Sequence, residues 1–116
     1  MPNSLLDLIG NTPMVLSKVL NPNPKVKVLF KLEGHNPGGS VKDRPALNMI
    51  REGIARGDFD ASTKLIEATS GNTGIGLAMV ASAYGLDIEL VMPENSTKER
   101  VQTMRAYGAK VTLTPA

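Results

Sequence analysis

The stretch Lys64-Leu65-Ile66-Glu67-Ala68-Thr69-Ser70-Gly71-Asn72-Thr73-Gly74 reads as a β-strand, a loop and the start of a helix. The helical pattern that follows, from about Thr73 to Tyr84, is apolar nearly all round, which predicts deep burial. Gly85 stands where a helix C-terminus often needs a left-handed residue. Ile88-Glu89-Leu90-Val91-Met92 is then a second β-type run. This unit repeats in both directions. Upstream lie the run Val26–Leu32 and a helical pattern from about Arg44 to Arg56, with Leu47, Ile50 and Ile54 on one stripe. Downstream lie a helix from about Thr97 to Tyr107, with Val101 and Met104 as its inner stripe, and the run Lys110–Leu113. Ser96 and Glu99 fit a capping box at that helix's start, and Gly108 fits its end.

Alternation of this kind predicts an α/β fold: a three-layer open, mainly parallel sheet of about four strands within residues 26–113, with right-handed crossover helices. A short helix near Ser4–Ile9 and a turn at Asn21-Pro22-Asn23-Pro24 precede or interrupt it. Met49, Met79, Met92 and Met104 are expected at core or half-core positions.

Composition narrows the function. At 116 residues the chain is one domain by size and long enough to bury a core. Thirteen basic and eleven acidic side chains are scattered, and aromatics are only 3%, so a nucleic-acid surface has poor support. The absence of cysteine excludes disulfides, thiolate metal sites and cysteine nucleophiles, and a single histidine excludes a His-rich metal site. Residues 1–7 lack the basic region and apolar core of a signal peptide, and no run approaches membrane-spanning length. These features read as a cytoplasmic protein with neither a nucleic-acid nor a membrane partner.

Ligands of open α/β sheets sit beyond the carboxyl ends of strands, where two loops stand out. The first is Asn36-Pro37-Gly38-Gly39-Ser40-Val41-Lys42-Asp43-Arg44. Pro37 fixes one dihedral and the two glycines allow backbone closed to other residues, so the loop can hold Lys42 at the start of a helix. An ε-amine at a positive helix end, partly desolvated, should lose proton affinity, and the neutral amine attacks aldehydes. A solvated lysine after an ordinary glycine loop is the plain alternative. A Walker phosphate loop is rejected, because Ser40 and Val41 separate the last glycine from the lysine and Asp43 follows it. Helix onset is ambiguous: Ser40 with Asp43 fits a capping box, while Pro45 suits a first turn beginning after Asp43.

The second loop is Thr69-Ser70-Gly71-Asn72-Thr73-Gly74. A helix N-terminus offers unpaired N–H groups and the hydroxyls add donors, which makes a natural carboxylate site; an N-cap cluster is the structural alternative. Its glycines do not match the dinucleotide fingerprint. His35 beside the lysine loop reads as solvated, as do Lys98-Glu99-Arg100.

Together the two loops resemble the cysteine synthases (O-acetylserine sulfhydrylases), pyridoxal phosphate enzymes of fold type II. The resemblance extends through Ile9-Gly10-Asn11-Thr12-Pro13, Val41-Lys42-Asp43-Arg44, Met92-Pro93, Glu99-Arg100 and Tyr107-Gly108-Ala109. Gly38-Gly39-Ser40 and Arg105–Gly108 lean toward the B-type enzymes. The resemblance implies that Lys42 carries the cofactor and later moves the substrate α-proton. It implies that Asn72 meets the cofactor's ring hydroxyl, and that Thr69, Ser70, Gly71 and Thr73 hold the substrate carboxylate. The implied reaction is β-replacement on O-acetylserine with sulfide or thiosulfate, in a homodimeric enzyme. A cystathionine β-synthase or serine/threonine dehydratase is a sibling reading, and a non-catalytic α/β domain binding a small carboxylate or a partner protein is the reading from another class. No match appears for the family's glycine-rich phosphate loop or for the residue facing the pyridine nitrogen. Residues 1–116 are therefore expected to form a single N-terminal domain of a two-domain enzyme, inactive by itself.

Overall fold

The computed structural model describes residues 2–116. Three strands, β3 (Lys64–Ala68), β4 (Asp87–Pro93) and β5 (Lys110–Thr114), form a parallel sheet in chain order. The crossovers are two helices, α2 (Asn72–Tyr84) and α3 (Lys98–Ala106). Strand β4 lies in the middle and alternates strictly: Ile88, Leu90 and Met92 are buried, and the residues between them are not. Register places Leu65 beside Ile88, and Leu90 beside Val111, so one face of the sheet is an aliphatic layer under the helices. The opposite face carries Glu89, which accepts a hydrogen bond from Thr112 Oγ1 at 2.6 Å and pairs with Lys64 Nζ at 2.9 Å and Lys110 Nζ at 3.3 Å. One carboxylate thus spans all three strands, and these three partners hold it down to about 2.

The run Val26–Leu32 behaves differently from the expectation. Only β2 (Leu29–Lys31) is strand, and it pairs antiparallel with β1 (Met14–Leu16) in a separate two-stranded sheet. The parallel sheet therefore has three strands, and the first helix, α1 (Asp43–Arg56), does not cross over between neighbours of one sheet. An apolar alternating run specifies extended backbone but not its partner. Here the closer partner is the preceding segment, folded back through a turn in which Val26 N–H donates to the Asn23 carbonyl. Met14, Leu16, Leu29 and Phe30 are all exposed.

Helix α2 is buried from Gly76 to Ala81, as its all-round apolar sequence requires. Helix α1 packs on it very closely. A Cβ on Gly76 would lie 3.2 Å from the Ala46 Cβ and 3.2 Å from the Lys42 carbonyl oxygen. This closeness shifts the buried stripe of α1 to Asp43, Ala46, Ile50 and Gly53, leaving Leu47 and Ile54 half-buried and Met49 exposed. Met79, Met92 and Met104 are buried as expected. Gly85 caps α2 in the left-handed region at φ +67, and Gly108 follows α3 at φ +91. The capping box expected from Ser96 and Glu99 does not form: α3 begins at Lys98 after Thr97, whose side chain makes no cap bond. A capping box does form in the 3-10 turn Leu5–Leu8, between Ser4 and Asp7. Among the described residues no helix is long and apolar enough to cross a membrane.

Candidate functional site

The lysine loop begins with a four-residue turn. Gly39 N–H donates to the Asn36 carbonyl at 2.8 Å. Asn first, Pro second and Gly fourth are the residue types of a type I turn. Gly39 lies at φ +89, which explains the second glycine. Helix α1 then starts at Asp43 with Lys42 as its N-cap, and no side chain caps it. This onset falls between the two open to the sequence: Pro45 does lie in the first turn, but that turn begins at Asp43 and not after it, and the Ser40–Asp43 capping box does not form. Ser40 Oγ instead accepts the Lys42 N–H at 3.1 Å, and Asp43 turns inward to accept the Gly38 N–H.

An ion-pair network holds this loop from below. Arg44 meets Glu33 in a bidentate pair, Nε to Oε2 at 2.8 Å and Nη2 to Oε1 at 2.9 Å. Thr12 Oγ1 donates to Glu33 Oε1 at 2.6 Å, and Asn36 Nδ2 donates to Glu33 Oε2 at 3.0 Å. Asn36 is buried, and its Oδ1 accepts the Gly10 N–H at 2.8 Å. The Arg44 guanidinium, with Thr12 adding to it, holds the Glu33 carboxyl down to about 2. The network joins the segment 9–13, the end of β2 and the lysine loop into one body. Its centre, Glu33, carries no sequence signal: pairing it with Arg44 requires knowing how the intervening turn folds.

Lys42 is exposed, and its amine has no hydrogen-bond or ion-pair partner among the described residues. Its carbonyl packs against Gly76, in the second turn of α2, which rises from the carboxyl edge of the sheet. At that edge Ala68, Thr69, Ser70, Val91, Pro93 and Thr114 line a groove of about 430 Å³. The helix onset beside it is uncapped: α2 starts at Asn72 after Gly71, with no side-chain cap. Thr69, Gly71 and Thr73 are partly buried, while Ser70 and Asn72 are exposed. The Asn72 amide and the Ser70 and Thr73 hydroxyls form no hydrogen bonds among the described residues, so the N-cap alternative for this cluster is not realised. Thr69 and Ser70 line this groove while Thr73 lines a second cavity, and the free donors at the uncapped helix start are suited to a carboxylate. Arg100, read from sequence as part of a solvated face, reaches from α3 and donates through Nη1 to the Ser70 carbonyl at 3.3 Å. His35 is exposed, as expected. The second cavity, among Met49, Ile50, Phe59, Leu65, Ile66 and Leu77, is mainly apolar, with Glu67 and Thr73 also in its lining.

Comparison with known proteins places the chain in a family. Cysteine synthase B of Salmonella typhimurium is 52% identical over 111 residues, covering 96% of this chain and 37% of that protein. The chain thus spans a little over a third of the length of such relatives. A crystal structure of a hydrogen sulfide-producing enzyme from Fusobacterium nucleatum superposes with a TM-score of 0.94 at 49% identity, over 100% of this chain and 38% of the other. An O-acetylserine dependent cystathionine β-synthase from Helicobacter pylori superposes with a TM-score of 0.90 at 43% identity, over 99% and 38%. The model of one family, described as pyridoxal-phosphate dependent enzyme, matches residues 5–116, and the chain belongs to that family.

Proposed function

We propose that the protein containing this chain makes L-cysteine by β-replacement, exchanging the acetate of O-acetylserine for sulfide; thiosulfate in the same exchange would give S-sulfocysteine. The observation that carries the reading is that Lys42, whose amine has no partner among the described residues, packs its carbonyl against Gly76 of α2, a helix whose own start is uncapped. The 52% identity to a cysteine synthase B supports the choice of reaction. The residues fit pyridoxal 5'-phosphate: an accessible primary amine can take its aldehyde, and the free Asn72 amide can meet its ring oxygen.

When bound, the cofactor supplies an electron sink for the electron pair left at the substrate Cα. Lys42 is the residue that would hold the cofactor's aldehyde, and its free amine would take the proton from the substrate Cα. Thr69, Ser70 and Thr73, with the backbone N–H groups near Gly71, bind the α-carboxylate and so fix which Cα bond faces Lys42. Acetate leaves Cβ and sulfide adds there, so the balance is O-acetylserine plus hydrosulfide to cysteine plus acetate. The same reading carries a homodimeric, cytoplasmic enzyme whose cofactor phosphate and pyridine nitrogen are gripped by residues other than those described here.

The test is cysteine formation by the intact protein supplied with cofactor, O-acetylserine and sulfide. Lys42→Ala should abolish visible absorbance from lysine-bound cofactor and cut turnover at least about a hundredfold, the usual lower worth of a positioned proton-transfer group. Full turnover in Lys42→Ala refutes the assignment. A clear preference for homocysteine over sulfide would move the protein to the cystathionine β-synthase reading, which the Helicobacter pylori neighbour favours.

A further inference from the structure

The residue after Lys42 is buried where an aspartate is costly. Asp43 is 0% exposed. Its Oδ2 accepts the Gly38 N–H at 2.5 Å, and its Oδ1 has no hydrogen-bond partner among the described residues. Burial pushes the carboxyl above the ordinary aspartate value, against the pull of that N–H. A half-satisfied buried carboxyl is poorer for stability than an apolar side chain of its size. Its surroundings show what it does instead. A Cβ on Gly38 would lie 2.3 Å from Oδ1, and a Cβ on Gly76 would lie 3.4 Å from the same atom. The carboxyl therefore fills the gap between the lysine loop and α2; only glycine at position 38 leaves room for it, and Gly76 lies within contact on the other side. Its bond to Gly38 also closes a ring of backbone over residues 38–43, with Lys42 inside.

We infer that Asp43 is a positioning residue: its carboxyl is a strut that sets the height of the Lys42 loop above the start of α2. This deepens the proposed function and rests on Lys42 being the reacting amine. Asp43 forms no hydrogen bond with the Lys42 amine, so it acts through backbone placement and exchanges no proton with it. The shape of the carboxyl matters and its charge does not.

The experiment uses the intact protein with two readouts. The first is amide hydrogen exchange of the segment 38–42 in the absence of cofactor. The second is borohydride trapping of pyridoxal 5'-phosphate, with the labelled lysines mapped by mass spectrometry. Asp43→Ala should speed exchange in 38–42 by about tenfold or more, the loss of one hydrogen bond to a carboxylate. It should also spread the label from Lys42 to other exposed lysines. Asp43→Asn, with the same shape and an oxygen for Gly38, should restore both. Unchanged exchange in Asp43→Ala, or a defect in Asp43→Asn as large as in Asp43→Ala, overturns the strut. If Asp43→Ala does not fold, Gly76→Ala applies the same test from α2. Its Cβ presses on the Lys42 carbonyl and touches Oδ1, so exchange must change in 38–42, far along the chain from the substitution. No change there overturns the inference. If the unsubstituted protein is not trapped at Lys42, the reading of Lys42 falls, while the exchange readout still decides the strut.

Discussion

Replacing Gly74 with alanine sets two calculable effects against each other. Gly74 is buried in the first turn of α2, and alanine there gains up to about 1 kcal/mol in helix propensity. The new methyl would lie 2.6 Å from Thr69 Cγ2 and 2.8 Å from Met104 Cε, both inside van der Waals contact. Met104 is 0% exposed, so its tip has no solvent to swing into, and Thr69 is β-branched and held at the end of β3. Overpacking of this kind costs about 1–3 kcal/mol. Contact outweighs propensity, and Gly74→Ala should lose about 1–2 kcal/mol net. Urea unfolding followed by circular dichroism measures this as a lower midpoint at unchanged slope. Thr69→Ser removes one of the two opposing methyls, so the double variant should recover part of the loss. Stabilisation by about 1 kcal/mol in Gly74→Ala alone would show that propensity decides and that α2 does not pack on Thr69 and Met104 as described.

Two further predictions follow from the sheet and the network. Leu90 is fully buried at the centre of β4, so Leu90→Ala should cost about 2–5 kcal/mol, read from the same unfolding curves. Glu33 and Glu89 are both lowered to about 2 from an ordinary 4.5, so the folded state binds fewer protons than the unfolded one in that window. Their stabilisation is present above 4.5 and drains away as pH falls toward 2; Glu33→Gln and Glu89→Gln should each flatten the acid limb of a stability–pH curve. Asp43, raised by burial, works in the opposite sense, so the informative quantity is the difference between variant and parent at each pH. A limb equally steep in both variants would contradict the ion-pair geometry.

What the sequence reveals depends on the range of the interaction. Helix α2 and the left-handed cap at Gly85 were legible because local periodicity and one glycine encode them. Strand β4 was legible as an extended run for the same reason. Strand pairing was not: Leu29–Lys31 reads as strand whether its neighbour is parallel or antiparallel, and the neighbour lies across a turn. Met49 was misplaced because the stripe of α1 is centred on Ala46 and Gly53, small residues whose value lies in close approach and not in hydrophobicity. Ser96 and Glu99 have capping chemistry, but α3 begins too late for them to use it. At the candidate site, the chemistry-bearing residues were identifiable by type, whereas the supports were hidden. Glu33, Asn36 and Asp43 act through partners that only folding brings together.

The chain-ordered arrangement of β3, β4 and β5 also bears on how the molecule assembles. Each strand adds beside the one made just before it, and each addition closes a loop containing a single helix. Closure entropy therefore stays small at every step, and assembly can proceed in the direction of synthesis without waiting for distant segments. Glu89 then acts as a register pin: a slip of one residue by either flanking strand would turn its lysine toward the aliphatic face and remove that strand's partner from the carboxylate. Misregistered sheets are penalised as soon as the second strand docks, before the third is in place.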